Sequence, residues 1–234
     1  MADKMELGKQ PASIDNGKYL NIVAESGNFK NCWMTADRGV DPDMPVRPSI
    51  LHRKIVAESR LFKVEELHLK FENGEQRTYE RLVSQGPGAV MVVAVDDEGQ
   101  VVLIREYAGG FHDYCLTLPK GLVEPGEDIL AAANRELMEE TGFGACRLEP
   151  LTQLSLAPNY MGHKMHVVLA RDLYACKLEG DEPEPLEVQL YPLARLNELV
   201  DRDDFHEGRS VAALFITRER LRQEMGQWQE LDGA

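Results

Sequence analysis

Apolar and polar positions change their period several times along this chain, and each change marks an element. From Lys54 a short run, Ile55-Val56-Ala57, is followed by Phe62, Val64, Leu67, Leu69 and Phe71. These alternate with polar residues, with one slip, as half-buried strands do. The alternation stops at Asn73-Gly74, a strong hairpin signal, and predicts a returning strand over 76–83. Gly86-Pro87-Gly88 then breaks the chain. Ala89 to Val95 is a continuous Val-rich run, the pattern of a strand covered on both faces. Asp97-Glu98-Gly99 turns it into a strand over 100–107, and a shorter one is expected over 114–118.

The period then switches. Asp128 to Thr141 contains neither Pro nor Gly and is rich in Ala, Leu, Met and Glu, which predicts a helix. The Pro125-Gly126 turn and the acidic pair Glu127-Asp128 suit its positive end, and Gly142 stands where a stop is expected. Ile129, Leu130, Ala133 and Leu137 form the stripe that docks it on a sheet. Beyond it, strands are expected over 147–156 (ended by Pro158), 165–170 and 187–191, with an acidic loop over 178–185. A short helix over 193–200 and a longer one over 208–229 follow, the latter with Val211, Leu214, Phe215, Leu221 and Met225 as its apolar side. The class is α/β: an α/β/α sandwich on a mixed sheet, with an N-terminal antiparallel hairpin over 54–83.

Residues 1–50 carry no sustained period. Gly, Asn, Asp and Pro are scattered through them, and their apolar patches are Tyr19-Leu20-Asn21-Ile22-Val23 and Cys32-Trp33-Met34. The first is long enough for one short strand, and the second could dock elsewhere. The expectation is a poorly ordered leader, with Met44 as an alternative start, ahead of a domain over 51–234.

Composition narrows the classes. With 234 residues, 43% of them hydrophobic, the chain can bury one full core. Its 26 basic against 40 acidic residues give a net charge of −14, which argues against nucleic acid or an anionic membrane as the main partner. Cys32, Cys115, Cys146 and Cys176 form no close pair and no metal-ligand spacing. The N-terminus has no signal-peptide core and no stretch approaches membrane-spanning length, so a cytoplasmic protein with free thiols is expected.

The candidate chemistry lies on the central helix. Glu136 and Glu140 are one turn apart, and Glu139 lies beside them. Exposed like charges at this spacing cost about 0.2–0.5 kcal/mol per pair, and more when buried. Three carboxylates beside a packing stripe therefore need a compensating cation. Arg135 supplies one, and the rest suggests a hard divalent metal. The glutamates alone would equally suit a solvated helix face, but the spacing of their neighbours decides against it.

That spacing is Gly121, Glu127 after five residues, and after seven more the run Arg135-Glu136-Leu137-Met138-Glu139-Glu140-Thr141-Gly142-Phe143. Position by position it resembles the signature of the Nudix hydrolase superfamily. The segments SRLFKVEELHLKFENG, LIREYAGG, KGLVEPGE, AANRELMEETGFGA, LSLAPNYM and LEGDEPEPL further resemble its bacterial NudE type, hydrolases of ADP compounds. The resemblance runs from Ser59 to about Leu221.

The resemblance implies hydrolysis, dependent on Mg²⁺ or Mn²⁺, of the pyrophosphate in ADP-ribose, NADH or diadenosine polyphosphates, with release of AMP. Glu136 and Glu140 would hold metal, with Glu139, Glu127 and the Lys120 carbonyl in support. Gly121 would let the backbone approach closely, and Arg135 and Gly142 would be structural. Glu182 is the first candidate to orient the attacking water, ahead of Glu184, and Glu139 follows if neither does. Arg81, Arg105 and Glu106, with Gly121, Pro158 and Tyr160, are the substrate-binding candidates: the arginines for phosphate, the tyrosine for adenine. Pro158 stands fifteen residues beyond Phe143, as in ADP-sugar-type relatives. By residue type alone, these positions equally read as a strand terminator, a solvated turn, surface ion pairs and a packed strand end. The hairpin edge implies a homodimer. Hydrolysis of another nucleotide class, a sugar nucleotide or a nucleoside triphosphate, and a non-catalytic ligand sensor are the competing readings. The intact signature carboxylates argue against the sensor.

Overall fold

The alternating N-terminal stretch folds as an antiparallel sheet of β1 (Ser49–Glu58), β2 (Lys63–Lys70) and β3 (Gln76–Leu82), in that order. The computed structural model describes residues 45–84 and 86–231, with side chains as far as residue 225. The patches at Tyr19–Val23 and Cys32–Met34 lie outside the described residues. Gly74 takes φ 87° in the turn between β2 and β3, the left-handed geometry that the Asn-Gly pair signals. β1 is longer than its apolar run suggests, and all ten of its residues are exposed.

The remaining elements follow in chain order. They are β4 (Ala89–Ala94), β5 (Gln100–Ala108), β6 (Asp113–Thr117), β7 (Lys120–Leu122) and α1 (Ile129–Thr141), then β8 (Phe143–Ser155), β9 (Lys164–Ala175) and β10 (Glu187–Pro192). A 3₁₀ turn over Leu193–Arg195, α2 (Leu196–Val200) and α3 (Gly208–Leu231) complete them, all within one compact unit from Val46 onward. One sheet runs β7-β4-β9-β8 and another β10-β5-β6. β4 pairs parallel with β9, and the other strand pairs within these two sheets are antiparallel.

β4 holds the layers together because its side chains alternate between two cores. Met91 and Val93 join Leu103, Leu116, Leu169, Leu196, Phe205 and Leu214 beneath α2 and α3. Val90, Val92 and Ala94 join Val102, Val168, Ala132, Ala133 and Leu137 beneath α1. Burying one such aliphatic side chain stabilises by about 1.5–3 kcal/mol, so a strand with six buried residues anchors both helices. This is the α/β/α sandwich on a mixed sheet that the sequence pattern predicts.

The stretch after Pro119 forms a short strand, β7, because its backbone pairs with β4. Three expectations need correction. β8 starts at Phe143 and continues through Pro150, where the ladder to β9 shifts register instead of ending. β9 runs on to Ala175, past the apolar stretch. On α3 the packed face is Ser210, Ala213, Leu214 and Thr217, whereas Phe215 and Met225 are exposed; two small polar residues hide that face from an apolar count.

Candidate active site

Local chemistry sets the rotation of α1. Asp128 is its N-cap, its Oδ1 accepting from the N–H groups of Leu130 at 2.9 Å and Ala131 at 3.2 Å. Gly142 closes the helix at φ 80°, donating to the Met138 carbonyl at 3.2 Å. With both ends fixed, Ala132, Ala133 and Leu137 face the sheet. Glu140, on the same face one turn further on, is carried inward to 5% exposure.

Arg135 gathers three of the signature carboxylates. Its Nε and Nη2 donate to the two oxygens of Glu127 at 2.9 and 3.0 Å. Its Nη1 donates to Glu136 at 2.8 Å and Glu139 at 2.9 Å, and Nη2 also reaches the Leu122 carbonyl at 3.0 Å. These partners hold the guanidinium well above its ordinary pKa against burial, with Glu127 the largest contributor. Glu127 is correspondingly lowered. The cation that stands four residues before Glu139 thus serves Glu127 and Glu136 as well.

Glu140 has no paired cation among the described residues, and at Glu136 burial outweighs Arg135. Burial pushes Glu140 up to about 8, opposed by the Lys120 backbone N–H, which donates to it at 2.8 Å. Glu136 is also raised, by burial first, against the pull of Arg135. Gly121 closes over this pair. A Cβ there would stand 2.0 Å from Glu136 Cδ, and 2.1 and 2.3 Å from its two oxygens. Only glycine lets the β7 backbone come this near a carboxylate.

The donor set fits a hard divalent cation. It consists of carboxylate oxygens beside main chain, and two of the carboxylates are disfavoured in their charged form until positive charge arrives. Among the described residues no three His, Cys, Asp or Glu side chains are already gathered as an ion requires. The physical reason is Arg135, which turns Glu136 and Glu139 toward itself.

The acidic loop between β9 and β10 leans over this site. The Lys177 ammonium donates to the Glu139 carbonyl at 2.6 Å, and the Leu178 N–H to the Met138 carbonyl at 3.3 Å. Further along, Glu182 is raised by partial burial first and then by Glu106 and Asp181, with Lys120 opposing. Lys120 Nζ forms an ion pair with Glu106. Glu182, Glu106, Lys120, Glu136 and Glu140 therefore share one electrostatic neighbourhood. Glu184 instead accepts from the Tyr114 hydroxyl at 2.5 Å.

The two arginines sit among carboxylates. Arg105 on β5 donates to Asp204 at 2.8 Å and lies 3.3 Å from Glu187. Arg81 on β3 pairs with Glu65 across the β2–β3 ladder at 2.7 Å. The segment after β8 comes to that same end of β3, because the Leu82 N–H donates to the Tyr160 carbonyl at 2.8 Å. This brings Arg81, Pro158 and Tyr160 into one region, with Tyr160 55% exposed.

Residues missed by the pattern are Tyr114, Asp204 with Arg202, and Glu207 with Ser210. Each acts through a partner far along the chain or in an irregular turn. No local pattern signals them, since the helix-entry signature is Ser or Thr followed three residues later by Glu, and Glu207-x-x-Ser210 runs the other way.

Residues 86–215 match the family model described as NUDIX domain, and residues 48–81 match the NudE-type Nudix hydrolase N-terminal domain. The chain is 51% identical over 176 residues to the ADP compounds hydrolase NudE of Escherichia coli (strain K12), covering 75% of this chain and 94% of that protein. It is 30% identical over 169 residues to the ADP-ribose pyrophosphatase of Bacillus subtilis (strain 168), covering 70% and 91%. A solved crystal structure of an ADP compounds hydrolase superposes with a TM-score of 0.73 at 49% identity, covering 77% of this chain and 97% of that one.

Proposed function

The chain belongs to the NudE-type Nudix hydrolases, and from that premise we propose that it cleaves the pyrophosphate of ADP-linked compounds such as ADP-ribose, NADH and diadenosine polyphosphates, releasing AMP. It is an enzyme of the Nudix pyrophosphatase class. The observation that carries the reading is the approach of Gly121 to Glu136 beside the buried Glu140. A solvated acidic face would need neither the glycine nor the burial.

Glu136 and Glu140 would hold Mg²⁺ or Mn²⁺, with Glu139, Glu127 and the Lys120 carbonyl in support. The chemistry such an ion supplies is neutralisation of the diphosphate oxygens and acidification of water. Glu182 orients the attacking water and accepts its proton. One P–O bond forms to that water as the bridging P–O bond breaks, leaving AMP and a second phosphate ester. Arg81 and Arg105 offer bidentate donors to phosphate, exchanging the carboxylate partners described above. Glu106 steadies the Lys120 ammonium beside the site, and Tyr160 offers a face for adenine next to Pro158.

Two copies pair through the N-terminal sheet. β1 is an edge strand with Ile50, Leu51, Ile55 and Val56 exposed, a surface suited to a second chain. Sedimentation at micromolar concentration should give a dimer mass, and a monomer mass would overturn the pairing. The compartment proposed is the cytoplasm. The activity is tested by AMP release from ADP-ribose with Mg²⁺ and with EDTA. Release only with the metal is expected; release unaffected by EDTA, or none with any ADP compound, would overturn the reading.

A further inference from the structure

Glu182 has an electrostatic problem that Tyr114 resolves. The loop over 176–186 brings Asp181 and Glu182 toward a site that already holds Glu106, Glu136, Glu139 and Glu140. Like charges repel the loop from the place where its glutamate is needed. Lys120 is the cation acting on Glu182, and its ammonium is already paired with Glu106.

The loop is tied at three places. Its start is fixed to the end of α1 through Cys176, Lys177 and Leu178. Its far end enters β10, where Glu187 pairs with Arg105 on β5. Between these, the Tyr114 hydroxyl on β6 donates to Glu184 Oε1 at 2.5 Å, a short charge-assisted bond. The phenol is itself braced: the Tyr107 ring packs against it edge-on at 5.8 Å, and the Tyr107 hydroxyl lies 2.6 Å from His112 Nδ1. Pro183 stands between Glu182 and Glu184, and Pro185 follows. The fixed φ of Pro183, on the one residue between them, limits how far Glu182 can move once Glu184 is held.

We propose that Tyr114 is a positioning residue for the hydrolysis: by holding Glu184, it keeps the acidic loop over the site with Glu182 beside Glu106 and Lys120. The proposal rests on the assignment of Glu182 to the attacking water, and it reassigns Glu184 from chemistry to tethering.

The test uses full-length Tyr114→Phe, Glu184→Ala, Glu184→Gln and Glu182→Gln, each also combined with Tyr114→Phe. Steady-state kinetics on ADP-ribose and amide exchange of residues 176–186 are the readouts. Tyr114→Phe and Glu184→Ala should each speed exchange in the loop and lower kcat by between about 10- and 100-fold, with KM changed far less. Their combination should be no worse than either alone. Glu184→Gln keeps an acceptor oxygen and should lose less than Glu184→Ala. Faster exchange with unchanged kcat would overturn the positioning role, as would additive losses. If Glu184→Gln is as crippled as Glu184→Ala while Tyr114→Phe is unimpaired, Glu184 acts on the substrate and the tether is wrong. If Glu182→Gln turns over normally while Tyr114→Phe does not, the base assignment falls and the proposal, which rests on it, falls with it.

Discussion

Glu207, at the entry of α3, and Glu140, in the last turn of α1, are both withdrawn from water, and their surroundings treat them in opposite ways. Glu207 meets a full set of donors. Its Oε2 accepts from the Ser210 N–H at 2.7 Å and the Ser210 hydroxyl at 2.8 Å, and its Oε1 from Arg209 Nε at 2.7 Å. Burial raises its pKa, but these partners outweigh burial and leave it lowered. The Ser210 hydroxyl also lies 2.9 Å from the Thr117 hydroxyl and accepts from the Leu118 N–H, tying α3 to the end of β6. Nearby, Asp204 is held far below the usual carboxylate range by Arg202 first and Arg105 after it. Glu140 has one backbone donor and is pushed up to about 8. Glu207 is matched donor for donor, whereas Glu140 is left short of donors, as the cation site proposed for it requires.

The comparison is broken most severely at Glu140. Glu140→Gln should lower turnover on ADP-ribose by several orders of magnitude at saturating Mg²⁺. The same variant should melt at an equal or higher temperature, since a neutral amide still accepts from Lys120 without a buried charge. Normal turnover in the folded variant would sink the contrast.

Glu182→Gln should come next, with a loss of about 10²- to 10⁴-fold and metal affinity nearly unchanged. Side-by-side turnover and metal titration check this, with Glu184→Gln the milder of the pair. Glu207→Ala should do the reverse of Glu140→Gln. It strips the cap of α3 and leaves Arg209 and the Ser210 N–H unmatched, so stability should fall by about 2–3 kcal/mol. Turnover per folded molecule should stay within a few-fold, and a denaturant midpoint measures the stability change.

The smallest effect sharpens the contrast through pH. Asp204 and Glu207 have folded pKa values below their unfolded ones. Their contribution is therefore present above the ordinary carboxylate range and is lost as pH falls through the depressed values. Glu140 has the opposite sign: between its ordinary 4.5 and about 8 the folded state holds the extra proton, so rising pH erodes stability across that window. Thermal midpoints in EDTA should show that slope in the parent chain and lose it in Glu140→Gln.

What the sequence revealed and what it hid follow one division. The hairpin at Asn73-Gly74, the buried run of β4 and both ends of α1 were legible because each is fixed by residues close together in the chain. Arg135 with Glu139 was legible for the same reason. The long-range polar pairs were not: Tyr114 with Glu184 are 70 residues apart, Thr117 with Ser210 are 93 apart, and Arg105 with Asp204 are 99 apart. A polar pair across such a distance leaves no period for a pattern to detect. Arg81 and Arg105 look available in the sequence because their carboxylate partners come from other elements.

The parallel pairing of β4 with β9 also sets the order in which the protein can be made. Ala89 pairs with Met165, so the whole of Gly121–Phe143 lies inside the connection that this pairing closes. A chain emerging from the ribosome carries every signature residue well before β9 appears, with one edge of an apolar β4 still unpaired. Contacts of such long reach form slowly, and an open apolar edge invites association with other chains. Translation that pauses or stops before residue 164 should therefore give an insoluble fragment containing the intact signature helix.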